Sequence, residues 1–359
     1  MIAVTLLTGF LGSGKTTLLA GVLRDPAMGR TAVIINELGE IGLDHDLIET
    51  SDERFVQLSN GCLCCTVRSD LILTLGDLAA RRAAGSVPPF ERVIIETSGL
   101  ADPAPILQAL MSDRDLAGVY VLDGVVTTVD ALTGLATLAQ HQEAVRQAAV
   151  ADTLVLTKTD VPQAQTAALV QRLTALNGGA RLLDRNRQAL TASLLFGPDA
   201  SGTHDSAARV ERWLGVVRPS GEAGREYRRH EADIRTFCIV RDEPMHAVTL
   251  ALFLSALAEN CGADLLRMKG IVRVTEQPDT PAVIHGVQHV YHAPLWLERW
   301  PSADRRTRMV FIGREIRESW VRALLDLLDE EVSEETRRRS GRDQRPTVVP
   351  PADARLPDA

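Results

Sequence analysis

The chain has 359 residues, 45% of them hydrophobic, and a formal net charge of -8. That length suits two domains with a sizeable core rather than one, and ordinary apolar content excludes wholesale disorder. The acidic balance argues against a nucleic-acid partner, which needs a basic face, and no stretch approaches the roughly 18 uninterrupted apolar residues of a membrane span.

Arginines cluster at Arg81 and Arg82, at Arg228 and Arg229 and at Arg337, Arg338 and Arg339, which read as solvated faces and tail. The amino-terminal apolar run has no basic leader and no small-residue cleavage site, so no signal peptide is expected, and the cytoplasm is the default location. Residues 1–7 read as a short buried strand running into Gly9, Gly12, Ser13, Gly14, Lys15, Thr16 and Thr17, which complete the phosphate-cradling pattern G-x-x-x-x-G-K-[ST]. A helix from 18 to 23 supplies the strand, loop and helix order that the pattern requires. Glycines serve there because a loop that wraps an anion with backbone NH groups adopts conformations and close approaches that a Cβ obstructs. Lys15 is placed to reach the β and γ phosphates, and Thr16 to offer a hydroxyl to Mg²⁺. The alternative, an ordinary glycine turn, does not account for those flanks.

A second strand at 31–35 ends in a glycine-punctuated acidic loop with Asn36, Glu37, Gly39, Glu40, Gly42 and Asp44. A third, at 54–58, opens into Gly61, Cys62, Cys64 and Cys65, with a helix from 66 to about 84. The strand at 92–96 runs into Thr97, Ser98, Gly99, Asp102 and Pro103, the proline marking a helix start. Strands at 119–123 and 152–156, with a helix at 136–149 between them, complete an α/β parallel sheet with helices on both faces through about residue 195. In such sheets ligands sit beyond the carboxyl ends of the strands. The glycine loop, Glu37, the cysteines, residues 97–99 and residues 158–160 are therefore expected on one edge.

The first domain is read as 1–196 and a weakly patterned connection as 197–231. A smaller α+β domain at 232–329 has strands at 233–240, 265–274, 282–289 and 308–312 and helices at 245–260 and 316–328. The charged, proline-rich residues 330–359 read as a disordered tail. No internal repeat is visible.

Lys158, Thr159 and Asp160 resemble the base-recognition element of GTP-binding proteins; a carboxylate at Asp160 can accept from the ring NH and the exocyclic amine of guanine together, and adenine offers neither donor in that arrangement. That element usually begins with Asn, whereas Thr157 stands here. A surface turn is the alternative. Glu96 ends its strand where a metal-facing acid belongs, and Gly99 suits a backbone close to the γ phosphate. Glu37, Glu40 and Asp44 form either an acidic switch loop or a solvated one. The thiols of Cys62, Cys64 and Cys65 can close around one soft or borderline cation and leave a position open for exchange. Buried small residues or a redox pair are the alternatives. Cys238 and Cys261 read as small core residues, His45 as a loop histidine, and His285, His289 and His292 as weak metal candidates.

The first-domain segments beginning at Gly9, Asn36, Gly61, Glu96 and Thr157, followed by residues 266–271, 285–287 and 310–314, resemble the CobW-like family of metal-handling GTPases across nearly all of residues 2–328. The resemblance implies a P-loop GTPase domain with a family carboxyl-terminal domain, GTP and Mg²⁺ as ligands, and a transition metal, Zn²⁺ or Co²⁺. It further implies a metallochaperone whose hydrolysis of GTP releases the metal to an unidentified metalloprotein client. In that reading Lys15, Thr16 and Glu96 are catalytic, while Gly9, Gly12, Ser13, Gly14, Thr17, Gly99, Thr157, Lys158 and Asp160 bind nucleotide. Cys62, Cys64 and Cys65, with Thr16, Glu37 and Glu40, contact metal ions. The histidine-rich tract of many members is absent. A homodimer is compatible with this reading. A nucleotide-binding metal sensor with negligible turnover and a P-loop small-molecule kinase are the rival readings.

Overall fold

The computed structural model describes residues 1–36, 55–57, 65–196 and 234–343. The first domain is a seven-stranded parallel sheet in the order β3-β2-β4-β1-β5-β6-β7. Its strands are β1 (Ile2–Gly9), β2 (Thr31–Asn36), β3 (Phe55–Gln57), β4 (Arg92–Thr97), β5 (Tyr120–Asp130), β6 (Thr153–Thr157) and β7 (Arg181–Asp184). The central strands are apolar on both faces because helices cover both. Val4 and Leu6 of β1 pack with Leu71 and Leu75 of helix α2 (Cys65–Ala83) and Leu107 of α3 (Ala104–Ser112). Leu7 points the other way, onto Leu18, Leu19 and Val22 of α1 (Lys15–Leu23). A further helix, α4 (Arg114–Ala117), leads into β5.

Three features depart from the sequence reading. The strand expected at 119–123 runs on to Asp130, because Asp123 and Gly124 mark a slip in register against β1 between Val4 and Thr5, not a strand end. The helix expected at 136–149 is two, α5 (Gly134–Gln140) and α6 (Gln142–Ala149), separated by His141 in an extended conformation. Strand β7 was not expected: four residues with a charge at each end carry little apolar signal. Helices α7 (Thr166–Leu176) and α8 (Ala192–Phe196) flank it.

The second domain is an antiparallel sheet of six strands. They are β8 (Ile234–Arg241), β9 (Leu265–Val274), β10 (Gln277–Val287), β11 (Val290–Tyr291), β12 (Leu295–Trp296) and β13 (Thr307–Arg314). The order is β11-β10-β9-β13-β8, with β12 also on β10. Helices α9 (Ala247–Cys261) and α10 (Glu318–Asp343) cover one face, where Phe311 stacks on Phe237 at 5.0 Å and meets Phe253 edge-on at 6.4 Å. Strand alternation sends Leu266, Val310 and Ile312 to the opposite face, onto Leu169 and Leu173 of α7 and Ala144 and Ala148 of α6. Helix α10 continues to Asp343 where a disordered tail was expected from residue 330. Its Glu and Arg residues favour a helix, and pairs such as Glu334 with Arg338 at 3.2 Å sit at i, i+4. The expected connection at 197–231 and residues 344–359 lie outside the described residues. Among the described residues no helix is long and apolar enough to cross a membrane.

Candidate functional site

Because all strands of the first sheet are parallel, the ends of β1, β4, β5, β6 and β7 open onto one edge. Gly9 ends β1 at φ 142°, and a Cβ there would lie 2.3 Å from Thr128 Oγ1, so the loop turns away from β5 only with glycine. Gly12 and Gly14 take left-handed φ of 69° and 90°. Two strand ends brace the loop. The Ser13 and Thr128 hydroxyls are 2.7 Å apart, and the Thr157 hydroxyl donates to Ser13 O at 2.8 Å. Helix α1 then starts at Lys15 with no side-chain cap, so its first-turn amides are available to an anion.

Lys15 is 7% exposed. The Thr16 hydroxyl donates to Glu96 Oε1 at 2.8 Å, and Glu96 is fully buried at the end of β4. A hydroxyl oxygen held against a carboxylate is a hard-oxygen donor set, the chemistry that suits Mg²⁺. Gly99 passes so close to the loop that a Cβ would lie 2.6 Å from Leu11 Cδ2 and 2.7 Å from Leu11 N. Segment 98–102 is gripped from behind by α6. Gln147 Nε2 donates to Gly99 O and Ala101 O, each at 3.0 Å, and Arg146 Nη1 donates to Asp102 Oδ2 at 2.6 Å.

Beyond β6, Lys158 adopts φ 56° and turns its ammonium back over the loop, donating to Gly12 O at 2.9 Å and Asp130 Oδ2 at 2.6 Å. Burial pushes the Asp130 carboxyl up, but the Lys158 ammonium and the Leu132 amide outweigh it, so it stays below the ordinary carboxylate range. The Thr159 hydroxyl donates to Asp184 Oδ1 at 2.7 Å, and Asn186 Nδ2 donates to Asp160 Oδ1. Asp160 is exposed at the rim. Thr157 is buried, and its hydroxyl braces the phosphate loop by donating to Ser13 O.

Residues 3–184 match the model of the CobW/HypB/UreG nucleotide-binding domain, and residues 234–328 match that of the cobalamin synthesis protein cobW C-terminal domain. The chain belongs to the CobW/HypB/UreG family. It is 33% identical over 322 residues to the zinc chaperone YjiA of Escherichia coli, which covers 90% of this chain and 97% of that one. It is 30% identical over 347 residues to the zinc chaperone CobW of Pseudomonas aeruginosa, covering 87% and 88%. The crystal structure of Zn(II)-bound YjiA GTPase from E. coli superimposes with a TM-score of 0.65 at 28% identity, over 91% of this chain and 98% of that one.

In this CobW-family chain, Glu37, Glu40, Asp44, His45, Cys62 and Cys64 lie outside the described residues, and Cys65 is the first residue of α2. Among the described residues no group of three or more His, Cys, Asp or Glu could hold a metal ion. The second-domain histidines form no group of three: His289 Nδ1 meets Ala258 O at 2.9 Å and His292 Nδ1 meets Ala293 O at 2.6 Å. Cys238 and Cys261, expected in the core, are half-buried against apolar clusters, and burial pushes their thiols up to about 11 each. Sequence reasoning missed Thr128, Asp130, Gln147, Asp184 and Asn186. For Asp130 a signal existed in the β-branched run from Val125 to Val129, once Gly124 is not taken as a terminator.

Proposed function

We propose that this chain is a GTP-hydrolysing metallochaperone, which carries zinc on the thiolates of Cys62, Cys64 and Cys65 and passes it to a client metalloprotein on hydrolysis. The observation that carries the nucleotide half is the pairing of Thr16 with Glu96 on the same sheet edge as the braced loop at 158–160. Full-length similarity to chains named zinc chaperones supports the cargo half, and favours Zn²⁺ over Co²⁺.

Lys15 and the amides of the glycine loop hold the phosphates, and Gly99 lets the backbone approach the γ phosphate. Thr16, with its proton directed to Glu96, keeps oxygen lone pairs for Mg²⁺; bound there, the ion would neutralise phosphate charge. Asp160 reads guanine. In sequence Glu37 and Glu40 follow β2, and Cys62, Cys64 and Cys65 run from beyond β3 to the first residue of α2, so both stretches leave strands of the sheet that carries the nucleotide loop. A γ phosphate that orders the acidic loop then tightens the thiolates, and GTP and zinc must raise each other's affinity by one factor.

Competition between the protein and a chromophoric zinc chelator, with and without a non-hydrolysable GTP analogue, tests this. Tighter zinc binding with the analogue, lost in Cys64→Ala while GTP still binds, is the expected result. Equal zinc affinities in the two arms would remove the coupling.

A further inference from the structure

Three consecutive residues after β6 are each held by a side chain from a neighbouring strand end. Lys158 is held by Asp130 at the end of β5, Thr159 by Asp184 at the end of β7, and Asp160 by Asn186 two residues later. The segment that supplies Asn186 is itself fixed. Its backbone N–H donates to Asp184 Oδ1 at 2.9 Å, Arg185 N donates to Leu156 O at 3.0 Å, and Gln188 N donates to Asp184 O at 3.3 Å. Asp184 thus accepts from both loops at once and sets their separation. Asp160 and Asn186 are both exposed, so a base can reach them. Thr157, one turn back, directs its hydroxyl to Ser13 and Val129 carbonyls and gives Asp160 no support.

A carboxylate on a surface loop rotates freely about its terminal torsion unless a donor fixes it. To accept two parallel N–H bonds from one base edge, both oxygens must lie in the plane of that edge. An amide bonded to Oδ1 restricts the rotation and leaves the second oxygen, and the second lone pair of the first, toward solvent. We propose that Asn186 is a specificity-determining positioning residue, whose side-chain amide sets the Asp160 carboxylate in the plane that accepts from the N1–H and exocyclic amine of guanine. This inference rests on Asp160 being the guanine reader.

The test is displacement of a fluorescent nucleotide from the full chain by GDP, IDP, XDP and ADP. IDP lacks the exocyclic amine, XDP replaces it with a carbonyl, and ADP lacks the N1–H as well. In Asn186→Ala, GDP affinity should fall about tenfold, IDP affinity by less, and ADP affinity not at all, so the GDP to ADP preference contracts. Asn186→Asp, which sets a second carboxylate beside the first, should fall at least as far. GDP affinity within twofold of the parent, or equal losses for GDP, IDP and ADP, would overturn the assignment. Asp160→Asn separates the two layers of the argument, because an amide there should accept XDP in place of GDP. If that switch occurs while Asn186→Ala changes no preference, only the role of Asn186 fails. If Asp160→Asn leaves the preference for GDP intact, the guanine-reading role of Asp160 fails with it.

Discussion

Lys158 carries a left-handed backbone that an L residue adopts at a cost of about 1–2 kcal/mol. The conformation persists because it sends the ammonium back to Gly12 O and Asp130 while the next two residues reach toward β7. None of these partners is near in sequence, so the motif was legible at 158–160 and its supports were not. At the same scale the five cysteines separate by chemistry. With pKa values raised to about 11 by burial, Cys238 and Cys261 hold less than about one thiolate in a thousand at pH 7.5, and that fraction rises tenfold per pH unit toward 11. Peptide mass spectrometry after timed iodoacetamide treatment should find both unmodified at pH 7.5 and increasingly labelled above pH 9. Labelling of Cys238 at pH 7.5 as fast as a free thiol would contradict its burial.

Helix α6 joins the two halves of the molecule at the scale of an element. One side packs on Leu266 and Ile312 of the second domain, and the other holds segment 98–102 through Arg146 and Gln147. Gln147 is 1% exposed, so Gln147→Ala deprives two carbonyls of a donor and should cost about 1–3 kcal/mol. Hydrogen exchange should accelerate at residues 98–102, and single-turnover GTP cleavage should slow more than nucleotide affinity falls. Unchanged exchange in that segment would show that α6 does not hold it. Periodicity located this region as helical but merged α5 with α6. The break depends on His141, whose ring lies 4.5 Å from that of Phe10 in the glycine loop, a contact without local signature. The same holds for β7, whose four residues are a strand only because β6 pairs with them.

For the whole molecule the decisive contact is Asp152, immediately before β6. Its carboxylate accepts from Arg267 Nη2 at 2.8 Å and from Lys269 Nζ, both on β9 of the second domain, and from Val125 N at 2.8 Å. Burial pulls the Lys269 ammonium well below its ordinary value and the Arg267 guanidinium down to about 9, so both cations depend on the facing carboxylate. Asp152→Ala removes that carboxylate and should destabilise the chain by about 3–5 kcal/mol, read as a shifted denaturant midpoint. A loss under about 1 kcal/mol would mean that apolar packing alone holds the domains together. The sequence by itself determined the two-domain plan, the phosphate loop and the position of the triplet at 158–160, because each is written in local pattern whose residue types follow from chemistry or periodicity over a short stretch. Only the tertiary structure decided which side chains brace those motifs and how the second sheet lies on α6 and α7. Those contacts join residues as far apart as Gln142 on α6 and Arg314 on β13, 172 positions away, and no local pattern encodes a partner at that separation.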